Sequence, residues 1–131
     1  MSVAYAPKGL TAVLTPQANT TVEPELAILT PPGHAFINAR LTSDKATIPD
    51  RLRDYFDNYD KAASQFANAP VGSIGFACTG ASYLAGVARE DATLAALQDR
   101  LGIPVATAAT AVIDALTALG AERIALLSPY A

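Results

Sequence analysis

Residues 71–82 read VGSIGFACTGAS, and this stretch decides the fold class. Its first part, residues 71–77, carries small and apolar side chains without a charge, which is typical of a strand buried on both faces. Cys78 lies at the carboxyl end of this strand, and a short helix is predicted from Ser82. A buried strand that passes through a polar turn into a helix is the first half of a β-α-β unit. The stretch therefore predicts a parallel sheet.

The same alternation of strand and helix extends along the whole chain. Apolar runs predict five strands and five helices. The predicted strands are 9–14, 34–41, 71–77, 103–106 and 123–127. The predicted helices are 22–29 (capped by Thr20 or Thr21), a long one from 49 or 50 to 66, one from 82, 91–101 and 107–119. Such alternation indicates an α/β fold with a flavodoxin-like parallel sheet and, through right-handed crossovers, helices on both faces.

Three polar loops follow strands of this predicted sheet. They span residues 15–19, 78–82 and 128–130. Because ligands of open parallel sheets bind beyond the carboxyl ends of the strands, we expect these loops to form the functional site. Arg40 ends a strand at the same edge, and we expect it to face solvent rather than to bind a carboxylate.

Composition excludes several classes of function. The 131 residues suffice for one compact domain, and nine basic against twelve acidic side chains leave a net charge of −3. Scattered cations argue against a nucleic-acid partner, and no apolar stretch is long enough for a membrane span. A single cysteine suits the reducing cytoplasm, where we place the protein. No metal-ligand spacing and no G-x-G-x-x-G occurs, so we expect neither a metal nor a cofactor.

The cysteine turn resembles three known motifs incompletely. Ala81 occupies the position of the phosphate-binding lysine of a Walker A loop, and Leu84 that of the arginine in a cysteine phosphatase loop. A nucleophile elbow would need a glycine two residues after Ser82. Two hypotheses remain for Cys78. It is a small buried side chain, or it is a reactive thiol that is partly solvent-accessible, with a pKa below about 8.5.

Three segments resemble the maleate cis–trans isomerases of the aspartate/glutamate racemase superfamily. Residues 16–25 read PQANTTVEPE, similar to the P-x-x-N-T-T-x-E-x-E segment after the first strand of these enzymes. Residues 76–79 read FACT and match their first catalytic Cys-Thr, whereas residues 127–130 read LSPY and resemble their T-P-Y segment. Arylmalonate decarboxylases and amino-acid or hydantoin racemases share the scaffold.

The resemblance implies a cofactor-independent enzyme that acts on a small dicarboxylate. Cys78 would be the catalytic nucleophile that adds to the double bond of maleate, and an enediolate would be stabilised before fumarate forms. The implied substrate-binding residues are Pro16, Asn19, Thr79, Gly80 and Tyr130. A decarboxylase or a racemase would use the same enediolate stabilisation. A non-catalytic domain that binds small acids is the alternative from another class.

The resemblance also predicts the domain organisation. The enzymes have two pseudo-symmetric halves, each of which supplies one cysteine to the cleft between them. Residues 1–120 would form the N-terminal α/β domain, and residues 121–131 would be the first strand of a second, largely absent domain. An apolar strand with an unpaired edge recruits partners, so we also expect a homo-oligomer.

Overall fold

A computed structural model of the protein describes residues 3–128, and it confirms the predicted α/β class. Four parallel strands form one sheet in the order β2-β1-β3-β4. The strands are β1 (Gly9–Pro16), β2 (His34–Leu41), β3 (Ser73–Phe76) and β4 (Val105–Thr107). The helices are α1 (Val22–Leu29), α2 (Ile48–Asp57), α3 (Tyr59–Ala63), α4 (Thr79–Ala85), α5 (Val87–Leu101) and α6 (Ala108–Ala118), with a 3₁₀ turn at Ser64–Phe66. Right-handed crossovers in opposite directions place α1 and α5 on opposite faces.

One face of the sheet carries the hydrophobic core. Alternate strand residues, among them Leu14, Leu41 and Phe76, point to this face and are at most 1% exposed. Helices α2 to α5 cover it, and the ring of Tyr59 stacks on that of Phe76 with 3.8 Å between centroids. Burying a large apolar side chain stabilises the fold by about 1.5–3 kcal/mol, so this face supplies most of the stability.

The other face of the sheet is more polar. Thr11 and Ser73 share a hydrogen bond of 2.9 Å between their hydroxyl oxygens, across β1 and β3. Thr15 donates a hydrogen bond of 3.3 Å to the side-chain oxygen of Asn38 on β2. No residue of α1 is buried, so this helix adds little apolar packing to that face.

Local chemistry explains where several helices begin and end. The side chain of Thr47 accepts a hydrogen bond from the backbone N–H of Asp50 at the start of α2. Thr107 and Thr110 form a reciprocal capping box at the start of α6. Gly102 ends α5 in the left-handed conformation, with φ of +68°, which only glycine adopts at low cost.

The long helix predicted from residue 49 or 50 to 66 is wrong in one respect, because it breaks at Asn58. The side-chain amide of Asn58 donates to the backbone oxygen of Asp54 at 2.8 Å and to its carboxylate at 3.0 Å. Asparagine side chains compete with the backbone in this way, so α2 stops at Asp57 and α3 starts at Tyr59. The helices predicted from 82 and 91 also begin earlier, at Thr79 and Val87.

The predicted fifth strand at 123–127 is not formed. Residues 121–128 have no regular secondary structure, and Ile124, Leu126 and Leu127 are 59%, 69% and 99% exposed. Within residues 3–128 no segment pairs with the outer edge of β4, and an extended segment without a pairing partner is not stable alone. Whether this segment begins a second domain stays a prediction, and residues 129–131 lie outside the described part of the chain.

Among the described helices, none combines the length and the apolar character that crossing a membrane requires.

Candidate active site at the β1–β3 edge

The strand order creates a crevice between β1 and β3. The chain leaves β1 toward β2 on one side and leaves β3 toward β4 on the other, so the two following loops diverge at this point. Such a topological switch point is where open parallel sheets bind their ligands. Pro16 ends β1 and Asn19 lies in the loop that follows, whereas Cys78 follows β3 and leads into Thr79 and Gly80 at the start of α4. The fold thus brings five of the six predicted site residues to one edge.

Asn19 shapes the loop after β1. Its side-chain oxygen accepts hydrogen bonds from the backbone N–H groups of Thr21 at 2.9 Å and Val22 at 3.0 Å, and from the Thr21 hydroxyl at 3.2 Å. Thr21 occupies the N-cap position of α1 but makes no capping bond with its own side chain, so Asn19 supplies the acceptor. In the described part of the chain nothing accepts a hydrogen bond from the Asn19 side-chain nitrogen. That donor is available to a ligand.

Arg40 fixes the same loop, a role that was not predicted. Its guanidinium lies 2.5 Å from a carboxylate oxygen of Glu23 on α1. It also donates to the backbone oxygen of Asn19 at 3.1 Å and to that of Pro16 at 3.5 Å. The expectation that Arg40 faces solvent is met in part, because 41% of its side chain is exposed, but a carboxylate of the protein itself also holds it. The signal in the sequence was that Arg40 ends the strand next to β1, where parallel strands bring their carboxyl ends together.

Cys78 joins β3 to α4, as predicted, but it is not accessible. It has an extended backbone, with φ of −144° and ψ of 91°, and only 5% of its surface is exposed. Burial raises the pKa of the Cys78 thiol, and hydrogen bonds from the backbone of Ala81 and Gly80 lower it only in part. The prediction of a partly exposed thiol with a lowered pKa is therefore wrong for this structure.

The early start of α4 explains this burial. Because the helix begins at Thr79, the turn folds back against α2, and Gly80, Ala81 and Ser82 become buried. Thr79 stays half-buried at the mouth of the crevice, as does Pro16. Tyr130, the remaining predicted contact to substrate, lies outside the described residues.

A cleft of about 560 Å³ lies beside this edge, next to β2. It is lined by charged and amide side chains, including Arg40, Asp54, Asn58 and Lys61, and by the ring of Tyr55. Cys78 does not line this cleft, so the cysteine would not meet a ligand bound in it. Among residues 3–128, no group of three or more His, Cys, Asp or Glu side chains could hold a metal ion.

A four-stranded parallel sheet with a cysteine turn and an asparagine loop at its switch point defines one half of a two-domain α/β enzyme fold. The model of the arylmalonate decarboxylase family matches residues 11–131, and the chain belongs to this family.

Three known proteins are similar to this chain. The maleate isomerase of Geobacillus stearothermophilus is 28% identical, and the match covers 90% of this chain and 52% of that protein. The crystal structure of maleate isomerase Iso from Pseudomonas putida S16 has a TM-score of 0.77 at 25% identity and covers 94% of this chain and 54% of that one.

A mutant of the Nocardia farcinica maleate cis-trans isomerase with a covalently bound succinylcysteine intermediate has a TM-score of 0.79. At 24% identity, covering 93% of this chain and 53% of that one, it shows the likeness of the fold. The chain spans about half the length of each of these relatives.

Proposed function

We propose that this chain supplies half of the active site of a cofactor-independent enzyme that isomerises a small dicarboxylate, of the maleate-to-fumarate type. The observation that carries the proposal is the meeting of the Asn19 loop and the Cys78 turn at the β1–β3 switch point. Kinship with enzymes named maleate isomerase supports the isomerase reaction. The rest of the relatives' length would supply the remaining groups of the site.

Cys78 acts as the nucleophile in the proposed reaction. Its thiolate adds to one alkene carbon of maleate, and the electron pair of the double bond moves onto the neighbouring carboxylate to form an enediolate. The intermediate then rotates about what has become a single bond. Collapse of the enediolate expels the thiolate and gives fumarate, with no net gain or loss of a proton.

The residues around Cys78 stabilise charge in this scheme. The hydroxyl and backbone N–H of Thr79, at the mouth of the crevice, would donate to the enediolate oxygens. The free side-chain nitrogen of Asn19 and, by resemblance, the hydroxyl of Tyr130 would hold a carboxylate. Pro16 and Gly80 shape the backbone on either side. Since burial raises the pKa of the thiol, its ionisation is the step that a complete site must promote.

A covalent adduct tests the nucleophile without needing the groups that a second half would supply. The purified chain is incubated with maleate between pH 7 and 10, and intact-mass spectrometry is compared for the wild type and Cys78→Ser. We expect a succinyl adduct on Cys78 alone, and proton NMR should show no steady production of fumarate by the 131 residues. No adduct at a pH where iodoacetamide alkylates Cys78 would favour a non-catalytic acid-binding domain. Turnover comparable to that of a whole relative would show that the half-site proposal is wrong.

Asn19 offers a second test, because its two side-chain atoms have different tasks. Asn19→Asp keeps the oxygen that accepts from α1 but replaces the free amide donor by a negative charge. We expect this variant to keep its melting temperature and to lose maleate affinity, measured by titration calorimetry in a complete enzyme. Asn19→Ala should lower both the melting temperature and the affinity for maleate, because the lost cap costs about 1 kcal/mol of stability. A normal affinity in Asn19→Asp would make the residue purely structural.

Decarboxylation of an aryl malonate is the second candidate reaction, because the family model that matches the chain is that of arylmalonate decarboxylases. It would use the same donors to stabilise an enediolate that forms when carbon dioxide leaves. An assay with maleate and with phenylmalonate in parallel separates the two reactions. Release of carbon dioxide without formation of fumarate would favour the decarboxylase.

We also propose a cytoplasmic location and a homo-oligomer. The single thiol is kept reduced in that compartment, and apolar residues of α6 and of 121–128 are exposed enough to contact another copy. If the chain does not form a homo-oligomer, analytical ultracentrifugation will report a monomer at all concentrations.

A further inference from the structure

Three buried polar groups lie in the core next to the cysteine turn, and none has a hydrogen-bond partner among residues 3–128. They are the hydroxyl of Tyr59 on α3, the hydroxyl of Ser82 on α4 and one carboxylate oxygen of Glu90 on α5. The three residues are only 1%, 3% and 5% exposed. Unpaired polar groups are costly in a protein interior, so each calls for an explanation.

The strand geometry places Tyr59 beside Cys78. Side chains two positions apart on a strand point to the same face, and the extended backbone of Cys78 continues the alternation of Ile74 and Phe76. All three are buried on the core face, and Phe76 stacks directly on the ring of Tyr59. Ser82 is four residues after Cys78, at the spacing that brings side chains together on one face of a helix.

The electrostatics of the core agree with this placement. The pKa of Tyr59 is raised, first by burial and then by the charges of Cys78 and Glu90, whereas the nearby Ser82 hydroxyl lowers it. The Tyr59 and Ser82 hydroxyls are thus neighbours, although the contact between them lacks the geometry of a formed hydrogen bond. Among the described residues, neither hydroxyl donates a hydrogen bond while the thiol is neutral.

We propose that Tyr59 is a positioning residue for Cys78, whose hydroxyl, together with that of Ser82, donates a hydrogen bond to the sulfur when the thiol ionises. The inference deepens the proposed function, because a nucleophile requires a thiolate. A phenylalanine would stack equally well on Phe76, so packing alone gives no reason for a hydroxyl at this position. The other ionisable groups that face the cluster are Tyr55 on α2 and Glu90 on α5.

The chain provides a matched control for the test. Tyr55 is also buried, at 5% exposed, and belongs to the same hydrophobic core as Tyr59. Its hydroxyl differs, because hydrogen bonding with the backbone of Gln17 contributes to its pKa and it is not among the unpartnered groups. Tyr55→Phe and Tyr59→Phe therefore make the same chemical change in two similar surroundings.

The experiment measures iodoacetamide alkylation of Cys78 from pH 7 to 11 in the folded chain. We expect Tyr59→Phe to raise the apparent pKa by about one unit and to slow alkylation at pH 8 about ten-fold, with a change below about two-fold in Tyr55→Phe. Ser82→Ala should shift the profile in the same direction and serves as the second variant if Tyr59→Phe does not fold. Circular dichroism and urea unfolding check the fold of each variant.

A merely structural role for Tyr59 would give a different result. A loosened core exposes the thiol and speeds alkylation, whereas loss of a donor slows it and moves the pH profile. Identical profiles for the wild type and for both the Tyr59→Phe and Ser82→Ala variants, or equal shifts in the two tyrosine variants, would overturn the inference. The maleate adduct is measured separately, so its absence would reject the proposed function and leave the thiol measurement intact.

Discussion

Helices α2 to α5 and the segment from α6 to residue 128 are both rich in apolar side chains. The large apolar side chains of the first region are mostly buried, whereas those of the second are mostly exposed to solvent. The first group packs on the core face of the sheet, where Tyr59 and Phe76 are 1% exposed. In the second group α6 contributes no buried residue, and Val112, Ile113 and Leu119 are 50%, 59% and 80% exposed. Apolar periodicity therefore predicts which face of a helix or strand is apolar, but not whether another element covers that face.

The largest expected effect compares one apolar side chain from each region. Phe76→Ala should lower the free energy of unfolding by about 3–5 kcal/mol, because it leaves a cavity against Tyr59 at the centre of the core. Ile113→Ala on the exposed face of α6 should change it by less than about 0.5 kcal/mol. Urea unfolding followed by circular dichroism measures both. Similar losses in the two variants would mean that α6 is packed in solution.

A pH titration extends the comparison to the buried thiol. Burial raises the pKa of Cys78 in the folded chain, so the folded state holds its proton at a pH where the unfolded state has lost it. The contribution to stability is complete below the ordinary thiol pKa, near pH 8.5, and is lost as pH rises through the higher folded value. Melting temperatures from pH 7 to 10 should fall more steeply in the wild type than in Cys78→Ala. Parallel curves would contradict a buried thiol.

A smaller effect is expected where the two regions join. Thr107 is buried at 2% exposed and caps α6 through Thr110, so Thr107→Ala should cost about 1 kcal/mol. Thr117→Ala serves as control, because the exposed Thr117 hydroxyl only donates back to the Ile113 backbone oxygen within the same helix. Thermal unfolding of the two variants should separate them. Equal melting temperatures would show that the cap is unimportant.

The smallest effect concerns the outer side of the packed helices. Arg89 on α5 binds Asp57 at 2.6 Å, and its guanidinium carbon lies 5.0 Å from the centre of the Phe56 ring. Because both partners of the ion pair are about half exposed, we expect Arg89→Met to cost only about 0.5–1 kcal/mol. Arg100, also on α5, forms an ion pair with Asp60 of α3, and Arg100→Met should cost less. In 1 M salt both variants should lose less unfolding free energy, because salt screens the ion pairs. A larger loss in Arg100→Met than in Arg89→Met would exclude a contribution from the Phe56 ring.

Local patterns predicted most of the fold. Helix α1 and strand β2 begin and end at the predicted residues, and Gly102 stops α5 as expected. These features depend on neighbours in the sequence, such as turn residues and alternating apolar positions. The break at Asn58 was missed because a side-chain hydrogen bond to Asp54 competes with the helix, and an apolar stripe does not reveal that competition.

The site was predicted less completely than the fold. The meeting of the Asn19 loop with Cys78 follows from strand order, which the alternation of strands and helices and the resemblance together implied. The burial of Cys78 depends on how α4 folds against α2, and no pattern within residues 78–82 reports that contact. The strand at 123–127 was wrongly predicted for the same reason. Strand pairing depends on two segments, whereas an apolar pattern describes only one of them.

The central place of β1 has a consequence for synthesis of the chain on the ribosome. Strand β1 pairs with β3 across a long sequence separation, as in the bond between Thr11 and Ser73, which are 62 residues apart. At a translation rate of about 5–20 residues per second, one edge of β1 stays unpaired for about 3–12 s until β3 has been synthesised. During this interval the core face around Ala12 and Leu14 acquires β2, α2 and α3 but still lacks β3, α4 and α5. The nascent chain is therefore exposed to misassociation before its core can close, and a chaperone has several seconds in which to bind it.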